Sequence, residues 1–490
     1  MVTYELAINP CVHEMGSHDP SAVLFEDGDV VYGVEEERFS REKHATDTFP
    51  KQAIRACLDS ESLRLADVDR VLLPWEPALF TKSLPYNVGQ SLTQPDSVLE
   101  KLQRTEWSVK HSVVPLAYAK RGIRRRLEQI GSSVPAIETF EHHECHAASA
   151  FYPSPFGEAV VVTVDGRGEY DSTVVWRGDD DGVHRLRTYE YPNSLGFFFG
   201  AVTRFLGYQP NNGEGKTMGL APYGDDNAEI ESRLREVVDT GLDYDVTELS
   251  KGDFEYATRR LESLFGRSRK SHTREFTQWE KDLAYVVQKL VEETVSDIVE
   301  HYCVREDVHD VSLAGGVALN CKMNKRVMEL DTVDDLFVQP VSNDAGSALG
   351  AGMLSAGPRN TPEMDTVYWG PDYSTAEIRS LLETNKVDYS RVEDVERYVA
   401  ERIADGELVG WFQGRLEMGP RALGNRSILA DPRSQESLDR VNRFVKHREG
   451  WRPFAPSMTE EASEEYLVDG GQAPYMIKTF DVKPEKEGEI

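Results

Sequence analysis

Twice in this 490-residue chain an apolar strand runs into a polar turn and returns as a second strand. The first copy is Tyr4 to Ile8, then Gly16-Ser17-His18-Asp19, then Ser21 to Phe25. The second is Val160 to Val164, then Asp165-Gly166-Arg167-Gly168-Glu169, then Ser172 to Trp176. A repeated layout with little identity predicts an internally duplicated α/β fold, each half turning a loop toward a shared cleft. Val30 to Glu35 extends the first copy across an Asp27-Gly28 turn, a hairpin signal. Periodicity predicts helices over Pro50 to Leu58, Gly122 to Ile130, Phe276 to Arg305, Met323 to Leu330 and Gly346 to Leu354. Further strands are expected at Val71 to Leu73, Val311 to Leu313 and Leu336 to Val341. The run Gly357 to Pro362 has linker composition, so two domains are expected, 1–357 and 363–490. The second should hold helix Val395 to Ile403, strand Leu408 to Phe412 and helix Gln435 to Val445.

The run His142-His143-Glu144-Cys145-His146 carries the sharpest chemical signal. On a helix, His142 and His146 leave the same face one turn apart, so two imidazoles can close on one ion. Asp165 follows the second apolar strand, whose end can aim a carboxylate back at that helix. Two His and a carboxylate suit a divalent metal: iron first, with manganese or zinc as alternatives. The pattern is not that of the zincins. A polar helix surface, or a His143/His146 pair with His142 a bystander, are the competing readings. Asp344, at a strand-to-helix corner, offers a second carboxylate to the metal or caps the following helix.

Three glycine-rich stretches could meet phosphate or nucleotide. Gly213 to Gly224 holds Lys216 in what reads as a loop, though its glycine spacing is not that of a Walker A motif. Gly315-Gly316, with Asn320 beyond, lies between a strand and a helix and lets a ligand approach the backbone. Gly414 to Arg426 gathers Arg415, Arg421 and Arg426, with Lys446, Arg448 and Arg452 following. Arg forks and Lys charges suit a phosphorylated small molecule, with internal Arg–carboxylate pairing as the plainer alternative.

Acidic residues outnumber basic ones 85 to 55, a net charge of -30. That excess repels nucleic acid and anionic membranes, so neither is an expected partner. The acids are spread along the chain, as on a surface tuned for high salt in a halophile. Five scattered Cys without a C-x-x-C fit a reducing compartment. With no apparent leader and no long apolar span, a cytoplasmic protein is expected.

These blocks, in this order, resemble the O-carbamoyltransferases of antibiotic and nodulation-factor biosynthesis. The resemblance rests on Gly16 to Ala22, Glu35 to His44, His142 to Ala150, Gly215 to Pro222, Gly315 to Asn320 and Gly419 to Ile428. It implies a duplicated actin-like, sugar-kinase-like first domain and an α+β YrdC-like second domain. The implied reaction joins carbamoyl phosphate to ATP, with Mg, giving carbamoyl-AMP and pyrophosphate; the carbamoyl group then passes to a hydroxyl of a small metabolite. Carried over by position, His142, His146, Asp165 and Asp344 would bind the metal, and His18 would act on the acceptor hydroxyl. Lys216, Gly315, Gly316 and Asn320 would meet nucleotide, and Arg421, Lys446 and Arg452 would hold carbamoyl phosphate. Loops such as Trp75 to Pro95 would line the acceptor pocket, and a homodimer is compatible with the resemblance. The chain stops in a polar tail without the family's Asn-Thr-Ser-Phe-Asn-type block, so the second domain is expected to be incomplete. Two other readings stay open: a tRNA threonylcarbamoyl-type transferase, and a non-catalytic relative that binds nucleotide and metal.

Overall fold

The computed structural model describes residues 2–12, 15–16, 18–93, 98–250, 253–271 and 275–489. Ser17 of the first turn and the end of the Trp75 to Pro95 segment fall outside these. The chain forms two compact units, Met1–Asp365 and Thr366–Ile490.

The first unit is built on two five-stranded sheets of one topology. Strands β1 (Tyr4–Asn9), β2 (Ser21–Glu26), β3 (Asp29–Glu35), β4 (Arg70–Leu73) and β5 (Ala136–Thr139) lie in the order β3-β2-β1-β4-β5. The pairs β1–β2 and β2–β3 are antiparallel, while β1–β4 and β4–β5 are parallel. Strands β6 (Ala159–Val164), β7 (Asp171–Asp179), β8 (Gly182–Glu190), β9 (Asp310–Ala314) and β10 (Asp335–Val338) repeat this as β8-β7-β6-β9-β10, with the same sequence of pairing directions. The duplication legible in the two strand–turn–strand runs is thus a duplication of whole sheets. Each central strand is apolar at successive residues because both its faces are covered: every residue of β6 is buried.

Helices α1 (Lys51–Ser60), α2 (Val98–Leu127), α3 (His142–Phe151), α4 (Glu214–Leu220), α5 (Gln278–Glu306), α6 (Cys321–Met328) and α7 (Asp344–Ala356) cover the sheets. The α3–α7 pair is packed backbone to backbone. A Cβ on Gly350 would lie 1.8 Å from the Cys145 carbonyl oxygen, and one on Gly352 would lie 2.0 Å from the Phe25 ring. The small-residue composition of α7 is therefore a packing requirement, and it seats the start of α7 beside the start of α3.

Four sequence readings need correction. The expected helix Gly122 to Ile130 is the end of the 30-residue α2, whose continuity Pro115 disguises. The Gly213 to Leu220 loop is mostly helix α4, because Glu214, Lys216, Met218 and Leu220 outweigh its two internal glycines. The Trp75 to Pro95 loop is largely helical, over Leu79–Ser83 and Leu84–Thr93. Strand β8 was missed because an edge strand rich in Arg and polar residues has no apolar signature.

The second unit holds α8 (Thr375–Thr384), α9 (Val395–Ala404), the antiparallel pair β11 (Val409–Phe412) and β12 (Arg426–Leu429), and α10 (Gln435–Arg440) continued by a wider turn through Val441–Val445. Neither α8 nor α9 buries a residue.

Candidate functional site

Helix α3 starts at His142, and its first turn is fixed by a carboxylate outside it. Glu169 Oε1 accepts the N–H of His142 at 3.1 Å and the N–H of Glu76 at 2.7 Å. Burial pushes the Glu169 carboxyl up to about 8, against the opposing effect of His142. Helical spacing then brings His142 Nε2 and His146 Nε2 to 3.1 Å. His142 Nδ1 lies 3.3 Å from the Pro74 carbonyl oxygen, to which it can donate, and its ring stacks on Trp75 at 3.9 Å and 20°. That pairing turns Nε2 toward His146 and Asp165, the orientation a metal ligand would need.

Asp165 is the first residue beyond β6. Its Oδ1 accepts the N–H of Gly166 at 2.8 Å and of Gly316 at 3.1 Å, which leaves Oδ2 facing the histidines, 3.3 Å from His142 Nε2 and 3.6 Å from His146 Nε2. Asp344 opens α7 inside its first turn, with Asn343 in the capping position, and its Oδ1 lies 3.7 Å from His142 Nε2. All four side chains are buried, and their donor atoms lie within 4.8 Å of one another. Bonds of about 2.0–2.2 Å to one ion separate its ligands by roughly 3–4 Å, so the set fits a single divalent cation. Charge points the same way. Two buried carboxylates and two imidazoles with facing Nε2 atoms make a poor core cluster unless a cation or protons fill it. Burial alone would lower His142, yet the Asp165 hydrogen bond and the charges of Asp344 and Asp165 raise it to about 9. Asp165 sits well below the usual carboxylate range because its two histidine partners overcome burial, whereas burial wins at Asp344 and raises it.

His143 faces elsewhere. Its Nδ1 lies 2.8 Å from Thr163 Oγ1, and burial drives it down to about 4. The alternative His143/His146 pair is therefore not the one that converges.

His18 lies on the β1–β2 turn, with Nδ1 2.9 Å from Asp19 Oδ2. Burial would lower it, but the charge of Asp344, the Asp19 bond and the charge of Asp165 raise it to about 10. Sequence reasoning missed the bridge that joins this turn to α3. Trp75, stacked on His142, donates Nε1–H to Asn9 Oδ1 at 3.1 Å, and Asn9 Nδ2 donates to the carbonyls of His18 and Asp19, each at 3.1 Å.

The expected nucleotide residues divide. Gly315 has φ +91 and a Cβ there would stand 2.3 Å from the Val164 carbonyl oxygen, so the Gly315-Gly316 corner abuts Asp165 itself. Asn320 is committed to the protein: Oδ1 accepts the Met323 N–H at 3.1 Å, and its amide pairs reciprocally with Gln288 at 2.9 Å. Lys216 rides on α4 with its ammonium 4.9 Å from the Tyr208 ring centre.

In the second unit, buried Glu417 organises the arginine loop. One oxygen accepts the N–H groups of Leu423, Asn425 and Arg426 at 2.8, 2.9 and 3.1 Å. Arg421 lies within that loop. Burial, then the charges of Arg448, Arg426 and Arg452, lower Lys446. Burial and Arg452 likewise bring Arg448 to about 10. Arg426, Arg448 and Arg452 thus stand close enough to Lys446 for their charges to act on it, positive charge that a bound anion would offset.

Family models for the carbamoyltransferase N-terminus and C-terminus match residues 12–353 and 400–490. A Synechocystis sp. protein is 35% identical over 96% of this chain and 78% of its own length. The nodulation protein NolNO of Sinorhizobium fredii is 36% identical over 96% of this chain and 67% of its own. The 3'-hydroxymethylcephem-O-carbamoyltransferase of Streptomyces clavuligerus is 31% identical over 64% and 60%. Among solved structures, component A of the Acidaminococcus fermentans (R)-2-hydroxyglutaryl-CoA dehydratase covers 72% of this chain at 15% identity, with a TM-score of 0.37 that supports no further comparison. With models for both ends matched and a relative 35% identical across 96% of this chain, the chain belongs to the carbamoyltransferase family of enzymes.

Proposed function

We propose that the chain is an ATP-dependent O-carbamoyltransferase with two sites. In the second unit, a YrdC-like domain, Arg421, Lys446 and Arg452 hold carbamoyl phosphate; water cleaves it to carbamate and inorganic phosphate, and a carbamate oxygen then attacks the α-phosphorus of ATP, giving carbamoyl-AMP and releasing pyrophosphate. In the first unit, an actin-like duplicated domain, a hydroxyl of a small metabolite attacks the carbamoyl carbon; the new C–O bond forms and the bond to AMP breaks. The observation that carries this reading is the convergence of His142, His146, Asp165 and Asp344, with the His18–Asp19 pair within their field.

A divalent ion at these four residues would supply positive charge against Asp165 and Asp344 and polarise a bound oxygen. The protein's own groups do the rest. The same ion would offset the charges of Asp344 and Asp165 that help to hold His18 protonated, so that His18, with Nδ1 engaged by Asp19, can lose its Nε2 proton and take that of the hydroxyl. Gly166 and Gly316 N–H groups fix Asp165.

Two assays test the proposal. With carbamoyl phosphate, ATP and divalent metal, the chain should release pyrophosphate and accumulate carbamoyl-AMP; absence of both would remove adenylate formation. Supplied with synthetic carbamoyl-AMP and a panel of hydroxylated acceptors, it should release AMP in an acceptor-dependent way. The His146→Ala variant should lose at least tenfold in bound metal by elemental analysis, and unchanged metal content would refute the ligand set.

A further inference from the structure

Asp19 stands between two imidazoles. Its Oδ2 is 2.9 Å from His18 Nδ1, and its Oδ1 is 2.7 Å from His44 Nδ1. Burial would raise this carboxyl, but the two histidines hold it well below the usual range. The chain bends against its preference to make the contact. Asp19 (φ 55), Arg41 (φ 62), His44 (φ 63), Ala45 (φ 37) and Asp47 (φ 57) all take left-handed backbone, and none is glycine. Strain of this kind persists only where surrounding bonds impose it. Here they are on view. The Asp19 N–H donates to the His44 carbonyl at 2.9 Å, and the His44 N–H donates to Glu37 Oε2 at 2.7 Å.

The donor atoms of Asp19, Glu37 and His44 lie within 4.8 Å of one another, a spacing that would also suit a cation. Yet both oxygens of Asp19 and both of Glu37 already face N–H donors, with Arg38 Nη1 on Glu37 Oε1 at 2.6 Å. The carboxylate oxygens are thus satisfied by hydrogen bonds as they stand, while His44 Nε2 is buried without a partner.

We infer that His44 is a positioning residue for His18: by donating Nδ1–H to Asp19 it pins that carboxylate, whose other oxygen then holds His18 with Nδ1–H bound and Nε2 open. Its part in catalysis rests on the proposal that His18 takes the acceptor proton; the geometry of the relay does not. Asp19 orients an imidazole and stays ionised, as the acid of a catalytic triad does. The groups facing His18 are Asp19, Asp344 and Asp165; those facing His44 are Asp19, Glu37 and Glu214.

The test compares His44→Gly with His44→Asn in the full chain. Both residues accept left-handed backbone, but only Asn keeps a donor near the place of Nδ1. With 15N-labelled histidine, solvent exchange of the His18 Nδ1–H should accelerate at least tenfold in H44G and stay within about threefold of wild type in H44N. Equal exchange in wild type and H44G, or equal acceleration in both variants, would overturn the inference. So would a metal equivalent that survives in H146A and disappears in H44G, which would make the cluster a cation site. AMP release from carbamoyl-AMP by His18→Gln is scored separately: if transfer persists there, His18 is not the base, whatever the exchange data show.

Discussion

At the residue scale, the site depends on side chains that touch no reactant. Trp75 holds His142 by stacking and reaches the His18 turn through Asn9. Replacing a partner of this kind costs metal sites about 10–100-fold in affinity. Trp75→Leu should therefore weaken metal binding by that factor in a competition titration with a chelator, while the far-ultraviolet circular dichroism is kept. His143 makes a different prediction. Its folded value is about 4, against an unfolded value of about 6.5. Between those limits the unfolded chain binds the extra proton, so this group's contribution rises with pH and is lost as pH falls from about 6.5 to about 4, up to about 3 kcal/mol. Urea unfolding of wild type and His143→Gln across that window should show a shallower dependence in the variant. The His142/His146 pair was legible because helical spacing is local. Trp75 and Glu169 were not, because their contacts join residues far apart in the chain, and neither lies in a motif that names its partner.

At the scale of elements, the seam between α3 and α7 sets the geometry. Gly350 admits no Cβ beside the Cys145 carbonyl, so Gly350→Ala must push the helices apart. Overpacking of this kind costs about 1–3 kcal/mol. The denaturation midpoint should fall accordingly, and metal content should fall with it, because Asp344 rides on the displaced helix; a variant with wild-type midpoint and metal would show that the seam has slack. Strands such as β1 and β6 were readable from their apolar runs. Helix α4 was not, since Gly215 and Gly219 imitate a loop, and β8 was not, since this edge strand carries half-buried Arg185 and Arg187 in place of an apolar stripe. Among the described residues no helix is long and apolar enough to cross a membrane.

At the scale of the whole molecule, a net charge of -30 works against compactness. Salt shortens the reach of that repulsion from about 10 Å at 0.1 M to about 3 Å at 1 M. The thermal midpoint should rise between those KCl concentrations; a flat or falling midpoint would mean that the acids are locally compensated. The duplicated sheets have a consequence of another order. His18 and Asp19 come from a turn of the first copy, and Asp165 from the matching turn of the second. Asp344 opens a helix that is tied to the first copy, where the Ser21 hydroxyl donates to the Ala345 carbonyl at 2.9 Å. A fragment that carried one sheet alone would hold only part of this cluster, so neither copy of the repeat could assemble it by itself.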